Sequence, residues 1–182
     1  MQMISASNQG FTLVELCVVL AVMAILATFA VPSFVAWQAR DQVDARARSL
    51  FSTLALARAE AVRRGARVTL CRIDSARRCL ASGRSCDDGV TDWSCGWGLF
   101  VDRDGAPTLL RMQPAMTPVS ITGTSTDISF TPPSGQVIGG FRSFDFAPRG
   151  SQATTNPAAR RCIRIAAGGR ARMTQGSCGA SA

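Results

Sequence analysis

The chain has 182 residues and a formal net charge of +8, and all 20 of its basic residues are arginine; Lys, His and Tyr do not occur. That length suits one modest domain with an appended segment. With no His, no G-x-S-x-G elbow, no P-loop and no carboxylate-rich ligand cluster, the sequence lacks the usual arrangements for general-base, nucleophilic and phosphate chemistry. No enzymatic activity, metal or cofactor is therefore expected.

Residues 1–10 are polar and end in Gly10. Phe11 opens an apolar run in which Glu15 is the one early charge. From Leu16 to Ala30 only Thr28 interrupts it, and it continues past Pro32 to Trp37. This approaches the ~20 residues that a spanning helix needs. A secretory signal peptide would begin with a basic region and carry a shorter apolar core. Residues 1–10 contain no Lys or Arg. A carboxylate within a lipid-bound helix is costly, and such residues usually have a functional partner.

The run Gly10-Phe11-Thr12-Leu13-Val14-Glu15-Leu16 and its apolar continuation resemble the N-terminus of the type IV pilin family, over roughly residues 9–32. The resemblance implies cleavage after Gly10 by a prepilin peptidase, which also methylates the new N-terminus at Phe11. It implies that Glu15 pairs with the N-terminal amine of a neighbouring pilin subunit during assembly.

Helical periodicity continues beyond Pro32. Val43, Ala47, Leu50, Phe51, Leu54, Ala57, Ala61 and Val62 recur at spacings of three and four, the signature of one apolar face. Arg40, Asp41, Asp44, Arg48, Ser52 and Arg63 are assigned to the other faces, and Gly65 is a C-terminal stop. Pro32 removes one backbone donor and should kink or loosen the helix. The predicted division is a leader over 1–10, a transmembrane or filament-core helix over 11–38, an amphipathic helix packed on the head over 39–65, and a β-rich head over 66–182.

After Gly65 the pattern turns to period two. Strands are predicted at Ala66–Arg72, Trp97–Arg103, Thr108–Met112, Val119–Thr122, Asp127–Thr131, Gln136–Ile138 and Ser143–Phe146. Asp102-Arg103-Asp104-Gly105 signals a hairpin turn, and Pro132-Pro133-Ser134-Gly135 and Pro148-Arg149-Gly150 are loops. The predicted fold class is α+β: a long N-terminal helix against an antiparallel β-sheet head.

Cys17 lies in the apolar helix and reads as a small hydrophobe. The other six cysteines, Cys71, Cys79, Cys86, Cys95, Cys162 and Cys178, fall in the head. An even set in an exported domain reads as a disulfide framework. Zinc is disfavoured, because the spacing C-x7-C-x6-C-x8-C has no C-x2-C knuckle and no His. Polar residues 74–94 are expected to form a disulfide-tied excursion outside the core, and Trp93 and Trp97 to cover the core beside a disulfide.

The chain closes in a predicted hairpin. Residues 161–166 alternate, Ala167-Gly168-Gly169 turns, and Arg170–Thr174 returns. Cys162 and Cys178 stand on opposite arms, almost equidistant from the turn, a geometry that suits a bridge. Asp145 is the last acidic residue; Arg149, Arg160, Arg161, Arg164, Arg170 and Arg172 follow with no acid after them, a basic element of +6. Phe144-Asp-Phe-Ala-Pro-Arg-Gly150 and Gly169-Arg170-Ala171-Arg172 resemble the GspH/FimT branch of pilin-like proteins, over about the last forty residues.

In FimT-like competence pilins a Gly-Arg-x-Arg motif at this position is associated with DNA binding. The resemblance carries that role to Arg170 and Arg172, with Arg164 and Arg160 or Arg161 extending the patch. Guanidinium groups bind phosphates by paired hydrogen bonds and carry no sequence preference. Arg46 and Arg48, on the helix, serve as reference basic residues away from the hairpin. The expectation is a minor pilin of a type IV pilus, with the basic hairpin either a DNA contact or a solvated or assembly-facing surface. The alternative is a type II secretion pseudopilin of the H class without DNA binding. Either way it would be a single-pass inner-membrane protein with a periplasmic head. Its partners would be other pilin or pseudopilin subunits, the prepilin peptidase, the inner membrane and, in the first reading, DNA.

Overall fold

The structure is a computed structural model that describes residues 12–86, 89, 91–103, 105–150 and 157–179. The chain divides into two units, Met1–Trp37 and Gln38–Ala182. One helix, α1 (Leu13–Arg64), contributes to both.

In the first unit, described helix residues are almost all exposed. Leu13, Leu20, Met23 and Phe34 each leave more than half of their surface uncovered. The helix axis breaks between Thr28 and Val31. No single unbroken helix among the described residues is long and apolar enough to cross a membrane, but Leu13–Thr28 and Val31–Arg64 pass that test as a broken pair.

The second unit holds the core. Along α1, Val43, Ala47, Leu50, Leu54, Ala57 and Ala61 are at most 1% exposed, so the predicted stripe is the buried face. Phe51 is only partly buried and Val62 is 49% exposed, because they lie at the edge of that stripe. Gly65 adopts φ +60° just past the last turn, a conformation that costs glycine nothing and ends the helix.

Among the described residues, nine strands follow in two antiparallel sheets. The first sheet has the order β3-β2-β1-β5-β6. Its strands are β1 (Val68–Arg72), β2 (Trp97–Arg103), β3 (Ala106–Gln113), β5 (Asp127–Thr131) and β6 (Gln136–Val137). The second has the order β4-β7-β8-β9, with β4 (Val119–Gly123), β7 (Arg142–Pro148), β8 (Arg161–Ile165) and β9 (Ala171–Gln175). Every predicted strand is present within a few residues of its expected bounds. The fold is α+β, as expected.

Alternation explains the packing. On β7, Phe144 and Phe146 point into the core and face Ile163 and Arg161 of β8 in register. Val68 and Leu70 of β1, Leu99 and Val101 of β2, and Ile128 and Phe130 of β5 join the same cluster beneath α1. Burying each such side chain contributes about 1.5–3 kcal/mol before entropy is set against it.

All six head cysteines are paired: Cys71 with Cys79, Cys86 with Cys95, and Cys162 with Cys178. Cys17 is free and exposed. The polar excursion is less peripheral than its composition suggests. Its last residues, Trp93 and Ser94, are buried. Trp93 packs edge-on against Phe144 at 4.9 Å between ring centroids, and its indole N–H donates to Ser125 O at 2.9 Å. Arg72, 2% exposed, donates to the carbonyls of Thr91 (2.6 Å) and Arg84 (3.0 Å), so the loop is organised around a buried guanidinium. Burial holds the pKa of Arg72 below the ordinary arginine value.

Candidate functional site

The β8–β9 hairpin is the edge of the second sheet. Its register pairs Arg161 with Gln175, Cys162 with Thr174, Ile163 with Met173, Arg164 with Arg172, and Ile165 with Ala171. Ile163 and Ile165 are fully buried, so Cys162, Arg164, Arg172 and Thr174 belong to the opposite face.

Gly169 closes the turn at φ +76°, with its N–H on Ala166 O at 2.8 Å. A Cβ there would stand 2.0 Å from Gly135 O. The glycine that begins Gly-Arg-x-Arg is therefore required twice, by backbone conformation and by the close approach of the Gly135 backbone.

The six arginines after Asp145 separate into two groups. Arg149 Nη2 reaches Asp92 Oδ2 and Ser94 Oγ, both at 2.7 Å. Arg160 Nη2 pairs with Asp145 Oδ1 at 2.9 Å. Arg161 grips both oxygens of Asp44, with Nη2–Oδ2 at 3.0 Å, and so fastens the hairpin to α1. The acids come from α1, the Cys-rich loop and β7, so a segment without acids of its own is still neutralised at three positions. This corrects the expected +6 surface and removes Arg160 and Arg161 from the candidate patch.

Arg164, Arg170 and Arg172 are different. All three are exposed, and none has an ion pair among the described residues. Arg164 Nη2 donates to Cys178 O at 2.6 Å, and Cys178 N–H donates to Asp145 Oδ2 at 2.9 Å. The Cys162–Cys178 bridge and this bond hold Arg164 directly opposite Arg172. Like charges face to face on a sheet are destabilising. Gly169–Arg172 also form one wall of a groove of about 720 Å³ whose other wall is Phe51, Ala55, Arg58, Ala59, Val62 and Arg63 of α1.

Arg46 does not behave as a solvated helix residue. It is 3% exposed, its guanidinium carbon lies 4.1 Å from the Trp97 ring centroid, and Nη2 donates to Pro114 O. Burial pushes its pKa down to about 10. It is a core cation, unsuited as a surface reference. Its position between Ala47 and Val43 on the helix gave little sequence signal, since arginine reads as polar in any periodicity count.

Near the N-terminus, Gly10 and Phe11 lie outside the described residues. Glu15 is exposed in the first turn of α1, and its N–H donates to Thr12 Oγ1 at 3.2 Å. Thr12 thus caps the helix, and Thr12-x-x-Glu15 has the spacing of a capping box. That signal was readable in the sequence. Pro32 lies inside α1, one position beyond the break.

Comparison with known proteins decides the family. The family model described as Type II transport protein GspH matches residues 46–169, more than half of the chain. The chain belongs to the GspH family. A second model, the prokaryotic N-terminal methylation motif, matches residues 5–31. Thirty-five residues are 51% identical to the type IV major pilin protein PilA of Myxococcus xanthus (strain DK1622), over 19% of this chain; the match spans only 16% of PilA.

Two crystal structures of the type IV minor pilin FimU from Pseudomonas aeruginosa (strain PAO1) share the fold. One is 21% identical with a TM-score of 0.53, covering 72% of this chain and 91% of FimU. The other is 20% identical with a TM-score of 0.55, covering 74% and 90%. This GspH-family chain is a type IV pilin-like protein, a minor pilin or pseudopilin, and its methylation motif and N-terminal helix fit a membrane-anchored subunit.

Proposed function

We propose that the chain is a minor subunit of a type IV pilus whose C-terminal hairpin contacts DNA without sequence preference. In this reading the precursor sits in the inner membrane with its head in the periplasm. The prepilin peptidase cuts after Gly10 and methylates Phe11. Glu15, kept in the first turn of α1 by the Thr12 cap, meets the N-terminal amine of a neighbouring subunit. Pro32 loosens the helix, since its missing N–H leaves the Thr28 carbonyl without its usual intrahelical donor.

The observation that carries the DNA reading is the sorting of the arginines. The fold neutralises Arg149, Arg160 and Arg161 with aspartates, yet leaves Arg170 and Arg172 unpaired among the described residues. Guanidinium groups so presented suit phosphate oxygens, and their binding releases counterions.

The family description favours a second reading, a pseudopilus subunit of type II secretion that does not touch DNA. A deletion strain separates the two. Complementation with the wild-type gene should restore uptake of labelled DNA, and the Arg170→Gln/Arg172→Gln gene should not, while secretion of folded proteins stays normal throughout. Loss of secretion in the deletion strain with unchanged DNA uptake would select the pseudopilus.

A further inference from the structure

We infer that the outer face of the β7-β8-β9 sheet is a platform for single-stranded DNA, with Phe141 as the base-stacking residue beside the arginines. The inference rests on the DNA reading above and adds to it the form of DNA and a residue outside the Gly-Arg-x-Arg motif.

The geometry follows from register. Arg142, Ile165 and Ala171 share one row across the three strands, and Ser143, Arg164 and Arg172 share the next. Phe141 immediately precedes β7 and Arg170 immediately precedes β9, and Ala166 N–H donates to Arg170 O at 3.0 Å. Strands alternate faces, so Ser143, Arg164 and Arg172 share the outer side. Ile165, of the first row, is fully buried on the other side.

Phe141 is 80% exposed, the most uncovered large apolar side chain among the described residues of the second unit. The backbone that carries it is held in place. Arg142 gathers the preceding loop by donating to Gly139 O (2.7 Å), Phe141 O (3.2 Å) and Ile138 O (3.5 Å). Val137 N–H donates to Ala167 O at 2.9 Å, which ties the start of that loop to the hairpin turn. An exposed aromatic ring near unneutralised guanidiniums matches what unpaired nucleotides require. Bases stack on the ring while phosphates meet the cations. In a duplex the bases are already stacked on each other, so Phe141 would add nothing there.

The test uses the full-length chain in detergent, with a short labelled oligonucleotide offered as single strand and as duplex, read by fluorescence anisotropy at low salt. Phe141→Ala should weaken single-strand binding on the order of tenfold, the loss of one base–aromatic stack, and leave duplex binding unchanged. Phe141→Trp should retain single-strand binding. Arg170→Gln/Arg172→Gln should weaken both. Thermal melting of the Phe141 variants should match the wild type, since the ring is already in solvent.

If duplex and single strand bind through the arginines but Phe141→Ala changes neither, the platform is wrong and the DNA reading stands. If the wild type binds neither form, the DNA reading fails and the platform with it. If Phe141→Ala spares single-strand binding but lowers incorporation into filaments, the face docks protein and the platform is overturned.

Discussion

Arg164 and Arg172 are register partners on β8 and β9, two exposed guanidiniums directly opposite each other at the edge of the second sheet. Elsewhere on the same segment the fold supplies an aspartate for each of three arginines. At this pair it supplies a carbonyl, Cys178 O, to one member only. Such an arrangement costs stability in the free protein and favours an anionic partner.

The turn that presents the pair offers a test of local structure. Gly169→Ala places a methyl group against Gly135 O at a positive φ, whereas Gly168 has open space around it and no positive φ. Gly169→Ala should destabilise the protein by about 1–3 kcal/mol or more from backbone strain alone. Gly168→Ala should be close to neutral. Thermal melting of the two variants checks this, and equal melting temperatures would contradict the packing described at the turn.

The Cys162–Cys178 bridge should contribute to stability and to the position of Arg164. Removing it as Cys162→Ala/Cys178→Ala should cost about 2–5 kcal/mol, as for other disulfides in small exported domains. Thiol titration of the denatured, unreduced protein should find Cys17 alone. Four or more additional free thiols would contradict the framework.

Much of this fold was legible in the sequence, and the limits are physical. Periodicity gave the buried face of α1 and strands such as β7, because burial on one side imposes spacings of about 3.6 or 2, while turn residues bounded the others. Gly65 and the Gly168-Gly169 turn marked their own positions. Charge pairing was not legible. Asp44, Asp92 and Asp145 neutralise arginines 117, 57 and 15 residues away in the chain, and only the folded topology brings them together. Arg46 was misread for a related reason: the Trp97 ring and the Pro114 carbonyl that make a buried cation tolerable come from elements distant in sequence. Phe141 was overlooked because one aromatic between Gly-Gly and a strand looks the same whether it packs inward or stands in solvent.

Arg46 also makes a stability prediction. Arg46→Ala removes a cation from the face of Trp97 and leaves the Pro114 carbonyl without its donor, and it opens space in the core. Destabilisation by about 2–4 kcal/mol is expected. Arg48→Ala, on the exposed side of the same helix, should change stability by less than about 0.5 kcal/mol. Chemical denaturation of both variants distinguishes a core cation from a solvated one.

Assembly is tested at Glu15. A carboxylate on an apolar helix needs a cation or remains a cost in lipid. Glu15→Ala should leave cleavage after Gly10, methylation of Phe11 and the melting of the head unchanged, while lowering incorporation into filaments. Mass spectrometry of the mature protein reads the processing, and immunoblotting of sheared filaments reads incorporation. Retention of residues 1–10, or normal incorporation of the variant, would contradict the assigned roles.

The most direct measurement is a mobility shift of duplex DNA by the full-length chain at two salt concentrations. Wild type is compared with Arg170→Gln/Arg172→Gln and with Arg103→Gln/Arg111→Gln, a pair of exposed arginines on the other sheet. The account predicts sequence-indifferent binding that weakens steeply with salt. The hairpin variant should lose most of the affinity and flatten the logarithmic salt slope by about two, one for each phosphate contact removed. The reference variant should stay close to wild type. Equal losses in the two variants would make binding a consequence of net charge alone, and no shift by the wild type at low salt would contradict the DNA contact outright.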